Sequence, residues 1–224
     1  MTICKTHVRS NAGYSRNLAG FTILACALTL SSPSLGHAGD VTPPTVPQAI
    51  QVPQGSKAFL KGHAVGTQNY VCAPSSSSPS GVAYTLFTPQ ATLYSDDLEE
   101  VTTHYFSANP AENNTNPALV SRGAIRATWR HSGDASTVWG EVKPGNASSD
   151  PAFVKQGAIG WLLLTAAGTE EGPTGGNTLT RTAFIQRVNT SGGAAPATGC
   201  ASMADVGNQA WVPYTADYFF FTRP

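Results

Sequence analysis

The sequence is short of charge: 13 basic and 13 acidic residues among 224, with a formal net charge of zero. So sparse and balanced a set lacks the Lys/Arg stripes that neutralise a phosphate backbone, and nucleic acid is not expected as a partner. Cysteine is also rare. Only Cys4, Cys26, Cys72 and Cys200 are present, and no two have the C-x-x-C spacing of a redox pair or a zinc ribbon. No G-x-G-x-x-G opens a helix, no P-loop lysine follows a glycine run and no G-x-S-x-G elbow occurs, so dinucleotide binding, phosphate cradling and the hydrolase elbow have no signature. Long apolar runs are missing too. The longest, Leu18 to Leu30, has thirteen residues and as a helix spans about 20 Å, short of the roughly 30 Å hydrocarbon core, so no integral membrane span is expected.

What is present begins with that run. Lys5, Arg9 and Arg16 precede it and the small-residue exit Gly36-His37-Ala38 follows it, which is the layout of a secretory signal. Residues 1–38 are therefore expected to be a signal peptide, and the protein to be exported to a periplasm or the extracellular space. Cys26 is a poor lipid-attachment site, because Ile23-Leu24-Ala25 is a weak approach to it and the apolar run continues through Ala27 and Leu28. Removal of the signal leaves about 186 residues, the size of one domain. It also leaves Cys72 and Cys200, expected to pair as a disulfide in an oxidising compartment, with two buried free thiols as the alternative.

Residues 39–53, rich in Pro, Thr and Val, read as an extended lead-in to a β-rich domain over 54–224. In that domain Gly and Pro recur roughly every ten residues between runs rich in Val, Ile, Thr, Phe, Tyr and Trp. This punctuation predicts an all-β, single-domain sandwich or barrel-like fold, with a jelly roll among the variants, and long loops. Ten strands are expected: 58–65, 68–73, 82–88, 91–94, 101–106, 124–131, 137–142, 158–166, 179–189 and 211–221. The run Ala158-Ile159-Gly160-Trp161-Leu162-Leu163-Leu164 is apolar at successive positions, so both of its faces should be covered. Loops are expected at 74–81, 107–122 and 168–176.

Several motifs resemble those of a family of exported bacterial and fungal proteins classed as a domain of unknown function. They are Gly66-Thr67-Gln68-Asn69-Tyr70-Val71-Cys72, His104-Tyr105, the Trp129 to Glu141 segment, Ala158 to Leu163, Ile185-Gln186-Arg187-Val188-Asn189-Thr190 with Gly192-Gly193-Ala194-Ala195-Pro196 and Gly199-Cys200, and Tyr214-Thr215-Ala216-Asp217-Tyr218-Phe219. The resemblance implies a signal-bearing single-domain protein with both cysteines inside shared motifs, and it carries no activity.

The segment Trp129 to Glu141 reads as a β-hairpin turning at Ser132-Gly133-Asp134. Period-two alternation puts Trp129 with His131 on one strand face, and Trp139 with Glu141 on one face of the other. Where those faces coincide, two indoles meet an imidazole and a carboxylate, a set suited to stacking on sugar rings or planar ligands; two core tryptophans are the plainer reading. The candidate ligand-binding residues are thus His104, Trp129, His131, Asp134, Trp139 and Glu141, with a small molecule or a polysaccharide as partner. His63, His104 and His131 are too scattered to predict a metal site, and no metal or cofactor is expected. Arg187 and Asp217 each interrupt an apolar strand, so they are expected on neighbouring strands as a structural ion pair. Gly192 and Gly193 are expected to take positive φ in a tight return to Cys200. The leading functional expectation is a non-catalytic binding domain. The alternatives are an extracellular hydrolase of carbohydrate or ester using His104, His131 and Asp134 or Glu141, and a structural or interaction protein of the cell envelope.

Overall fold

The computed structural model describes residues 41–112 and 125–224. The expected signal segment, and much of the expected 107–122 loop, lie outside the described residues. Among those described, eight antiparallel strands close into a barrel in sequence order: β1 (Ala58–Pro74), β2 (Val82–Tyr94), β3 (Glu100–Ala108), β4 (Ile125–His131), β5 (Thr137–Ser148), β6 (Trp161–Glu170), β7 (Phe184–Gly192) and β8 (Gln209–Phe221). Each strand pairs with the next, and β8 returns to β1 through a ladder that includes Gly62 opposite Tyr218 and Gly66 opposite Tyr214. Of the expected architectures it is the barrel that forms, although the β2–β3 ladder is confined to Ala91–Tyr94 and residues 82–90 of β2 pair with β1 alone.

Eight strands stand where ten were expected because two apparent breaks are bridged. Gly66 falls between the expected strands 58–65 and 68–73, yet it pairs on both sides, with Ala91 and with Tyr214. A Cβ on Gly66 would lie 2.0 Å from the Gln90 carbonyl oxygen, so the glycine permits a close approach of β2 rather than a turn. Pro89 likewise sits inside β2, opposite Gln68 and beside a bulge at Asn69/Tyr70. The expected strand from 179 begins only at Phe184, because turns occupy residues 178–181, with the Thr182 N–H donating to the Leu179 carbonyl at 3.1 Å.

Alternation along the strands builds two apolar layers. Inside the barrel lie Leu93, Trp129, Val138, Leu164, Ile185, Tyr214, Tyr218 and Phe220, and the small inward residues of β1, among them Gly62 and Ala64, leave room for these rings. Outside the barrel, Trp161, Leu163, Val188, Phe219 and Phe221 are covered by Val154 and by the lead-in residues Val41, Val46, Ile50 and Val52. The lead-in is extended apart from a single 3-10 turn at Gln48–Ile50, and it is a strap over β6 to β8: Ile50 is fully buried, and its carbonyl accepts the Gln186 amide at 2.8 Å. The apolar run through Leu164 is therefore covered on both faces, as its pattern requires.

The Cys72–Cys200 disulfide closes 128 residues of chain and ties the 193–208 connection to the end of β1. Gly192 and Gly193 have φ of 68° and 83°, and a Cβ on Gly193 would sit 2.9 Å from that of Tyr214. At the opposite end of the barrel lie the tighter β2–β3 and β4–β5 turns.

Candidate functional site

At the end that carries the 75–81, 149–160 and 193–208 connections, the barrel interior is not filled. A cavity of about 170 Å³ remains, lined by residues of all eight strands. Its inner part is made by the buried Gln68, His104, Trp129, Leu164 and Tyr218, while the half-buried Leu86, Phe106, Ala127 and Leu162 and the exposed Val142 form its rim. No acidic side chain lines it.

Three rings meet at the inner wall. The His104 imidazole stacks on the Trp129 indole with centroids 4.2 Å apart, and Tyr218 packs against both at 5.3 and 5.5 Å. Burial pushes the His104 imidazole down to about 3, and the nearby Arg187 charge acts in the same direction. The ring is therefore neutral. Its Nδ1 lies 2.9 Å from the Thr128 carbonyl oxygen, a partner only an N–H can serve, which leaves Nε2 as the lone-pair nitrogen.

Arg187 faces the cavity from β7. Its Nε and Nη2 donate to the Gly160 carbonyl at 3.2 and 2.7 Å, and it forms no ion pair among the described residues. Burial raises the Tyr70 and Tyr214 phenols above their ordinary values, and the Arg187 charge opposes that rise in each. Of the buried donors on the cavity wall, Trp129 Nε1 has no acceptor, and Gln68 Nε2, whose side chain lies beside the Tyr214 hydroxyl, makes no well-formed hydrogen bond. Buried donors in this state are uncommon in folded proteins.

The expected ion pair of Arg187 with Asp217 does not form. The two residues do lie on neighbouring strands, but the register sets Arg187 opposite Tyr218 and Val188 opposite Asp217, so Arg187 faces inward and Asp217 outward. Outside, the Asp217 carboxylate meets His63 Nδ1 at 2.6 Å and accepts the Asn189 amide at 2.8 Å. His63 Nε2 lies 2.7 Å from Asp96, which also accepts Lys61 Nζ at 2.8 Å.

The hairpin faces do not coincide either. The β4–β5 register opposes Trp129 to Val138 and Thr128 to Trp139, so one indole points into the barrel and the other out of it. Trp139 is 5% exposed, and its Nε1 donates to Ser107 Oγ at 2.9 Å. Glu141, also outside, pairs with Lys143 and lies 3.8 Å from Arg126, which in turn binds Glu112. His131, the last residue of β4, and Asp134, in the turn that follows, lie at the far end, where Asp134 accepts Ser136 N–H and Oγ–H at 2.9 and 2.6 Å and Thr178 N–H at 2.9 Å. Of the six candidate ligand residues, His104 and Trp129 line the cavity; His131, Asp134, Trp139 and Glu141 do not. The set His104, His131 and Asp134 or Glu141, named for a hydrolase, is thus not brought together.

Sequence reasoning passed over Gln68, Phe106 and Tyr218 as site residues and treated Arg187 as architecture. The available signal was period two: Arg187 follows the core residue Ile185 by two positions, and Tyr218 lies two from Ala216 and Phe220.

Residues 53–222 match the model of a family described as Protein of unknown function (DUF3455). The chain belongs to the DUF3455 family. The matched stretch takes in all eight barrel strands, so in this protein the DUF3455 domain is the barrel itself, cavity included. No curated protein and no solved structure matches the chain.

Proposed function

We propose that this DUF3455 barrel is a non-catalytic binding protein that takes one small, mainly apolar molecule into its interior. The observation that carries the reading is the cavity, walled by apolar side chains and entered past a rim of half-buried Leu86, Phe106 and Leu162 and exposed Val142. Binding sites are commonly concave and mostly apolar, with a few convergent polar groups. A volume of about 170 Å³ resembles the engineered cavities that hold benzene, which favours a six-membered ring or a short chain over a polymer. Neither hairpin indole is presented for stacking on a polysaccharide, with Trp129 and Trp139 only 1% and 5% exposed. Export belongs to the same proposal, supported by the disulfide.

Calorimetric titration of the mature protein with benzyl alcohol tests it. The expected result is one site with a Kd on the order of 1 mM or tighter, lost in Val142→Trp, which places an indole at the rim. Absence of binding by the wild type, or equal binding by Val142→Trp, counts against an interior site.

A further inference from the structure

The interior holds a charge that its surroundings leave unanswered. Arg126, Lys61 and Lys143 each meet a carboxylate, and Arg181 lies over the Phe59 ring at 4.1 Å. Arg187 has only the Gly160 carbonyl, although it faces a cavity whose other walls are chiefly apolar and carry no acid. An unpaired cation facing a mainly apolar space is costly. The Gly160 bonds use Nε and Nη2 and leave N–H groups of the guanidinium fork free.

The second observation is independent of the charge. Gln68 and Trp129 are 2% and 1% exposed, and each places on the same wall a donor that no well-formed hydrogen bond satisfies. The unmet groups of the cavity are therefore chiefly donors, and they include its one positive charge, since burial keeps His104 neutral. A ligand that satisfies them brings acceptor oxygens and a negative charge. The site is too small and too apolar for a multiply charged anion or a sugar phosphate, whose remaining oxygens would lose their hydration without replacement.

We propose that the ligand of the barrel is a small apolar monocarboxylate, held with its carboxylate on the Arg187 guanidinium and its ring or chain between Phe106, Leu162 and the His104–Trp129 stack. Arginine suits this task because its planar fork matches the two oxygens of a carboxylate. The Gly160 carbonyl holds the guanidinium in place at the cavity wall, so little side-chain freedom remains to be lost on binding. The apolar wall then selects the remainder of the molecule by size. This assignment rests on the interior site proposed above and adds the charge of its ligand.

The test compares benzoate with benzyl alcohol, near-isosteres that differ in charge, by calorimetric titration of the mature wild-type protein near neutral pH. Benzoate is expected to bind at least about tenfold more tightly, the scale of a charge-assisted hydrogen bond. In Arg187→Gln that preference should fall below about threefold, whereas Arg187→Lys should retain part of it. The wild-type comparison decides the matter even where the Arg187 variants fail to fold. Equal binding of the two probes by the wild type, or a preference that survives intact in folded Arg187→Gln, overturns the carboxylate assignment and leaves the interior site standing. Binding of neither probe overturns both.

Discussion

The imidazole of His104 lies flat on the indole of Trp129, with ring centres 4.2 Å apart and planes within 7° of parallel. The two residues sit opposite each other on β3 and β4, so the register of one strand pair assembles the inner wall of the cavity. Removing the larger ring should be expensive. Trp129→Ala is expected to cost about 3–5 kcal/mol, read as a lowered denaturation midpoint in urea.

The same burial has an optical signature. Trp129, Trp139 and Trp161 are 5% exposed or less, whereas Trp211 is 58% exposed. Acrylamide should therefore quench one component of the tryptophan emission, and Trp211→Phe should remove it. A quenchable component that survives Trp211→Phe contradicts the burial of the other three indoles.

Two histidines should bracket the pH of greatest stability. His104 is held down to about 3 by burial, against an ordinary 6.5, so between those values the unfolded chain binds a proton that the folded one refuses. Stability should fall as pH drops through that window, by roughly 1.4 kcal/mol per pH unit. His63 is raised, chiefly by its hydrogen bond to Asp96 and then by that to Asp217. Its contribution is fully present below 6.5 and is lost as pH rises through the raised folded value. Urea midpoints measured from about pH 4 to about pH 9 should show both limbs, with His63→Gln flattening the alkaline one and His104→Gln the acid one down to about pH 4. An alkaline limb unchanged in His63→Gln excludes the clasp with Asp96 and Asp217 as its source.

At the far end of the barrel, Asp134 holds the β4–β5 turn to the loop after β6. Burial works to raise its carboxyl, but the hydrogen bonds from Ser136 and Thr178 outweigh it and hold the group below the usual carboxylate range. Asp134→Ala should cost about 3 kcal/mol by leaving those donors unpaired. Gly172→Ala tests the same junction from the other side, because its Cβ would lie 1.7 Å from the Asp134 carbonyl oxygen. Thermal melting should show both losses, while benzyl alcohol binding in the cavity is unaffected.

Reduction of the disulfide removes a crosslink across 128 residues and should lower stability by up to about 5 kcal/mol in the chain-entropy account. The double variant Cys72→Ser/Cys200→Ser, unfolded in urea beside the oxidised wild type, measures it.

Composition and spacing alone determined that this protein is all-β, and where most of its strand material lies. Strand propensity and Gly/Pro punctuation are local properties that a sequence displays directly. The pairing of Cys72 with Cys200 was legible for a different reason, since the two cysteines that follow the expected signal segment admit one intramolecular bond. Closure of the barrel was decided only in three dimensions: nothing local to Ala58–Pro74 or Gln209–Phe221 says that the first strand and the last are neighbours. Facing was hidden too. Alternation relates residues within one strand, but a shift of one residue in the register between strands exchanges inside for outside. That register separates Trp129 from Trp139 and turns Asp217 outward to His63. It also turns Arg187 inward, where the sequence suggested a partner and the tertiary structure leaves a charge facing a cavity.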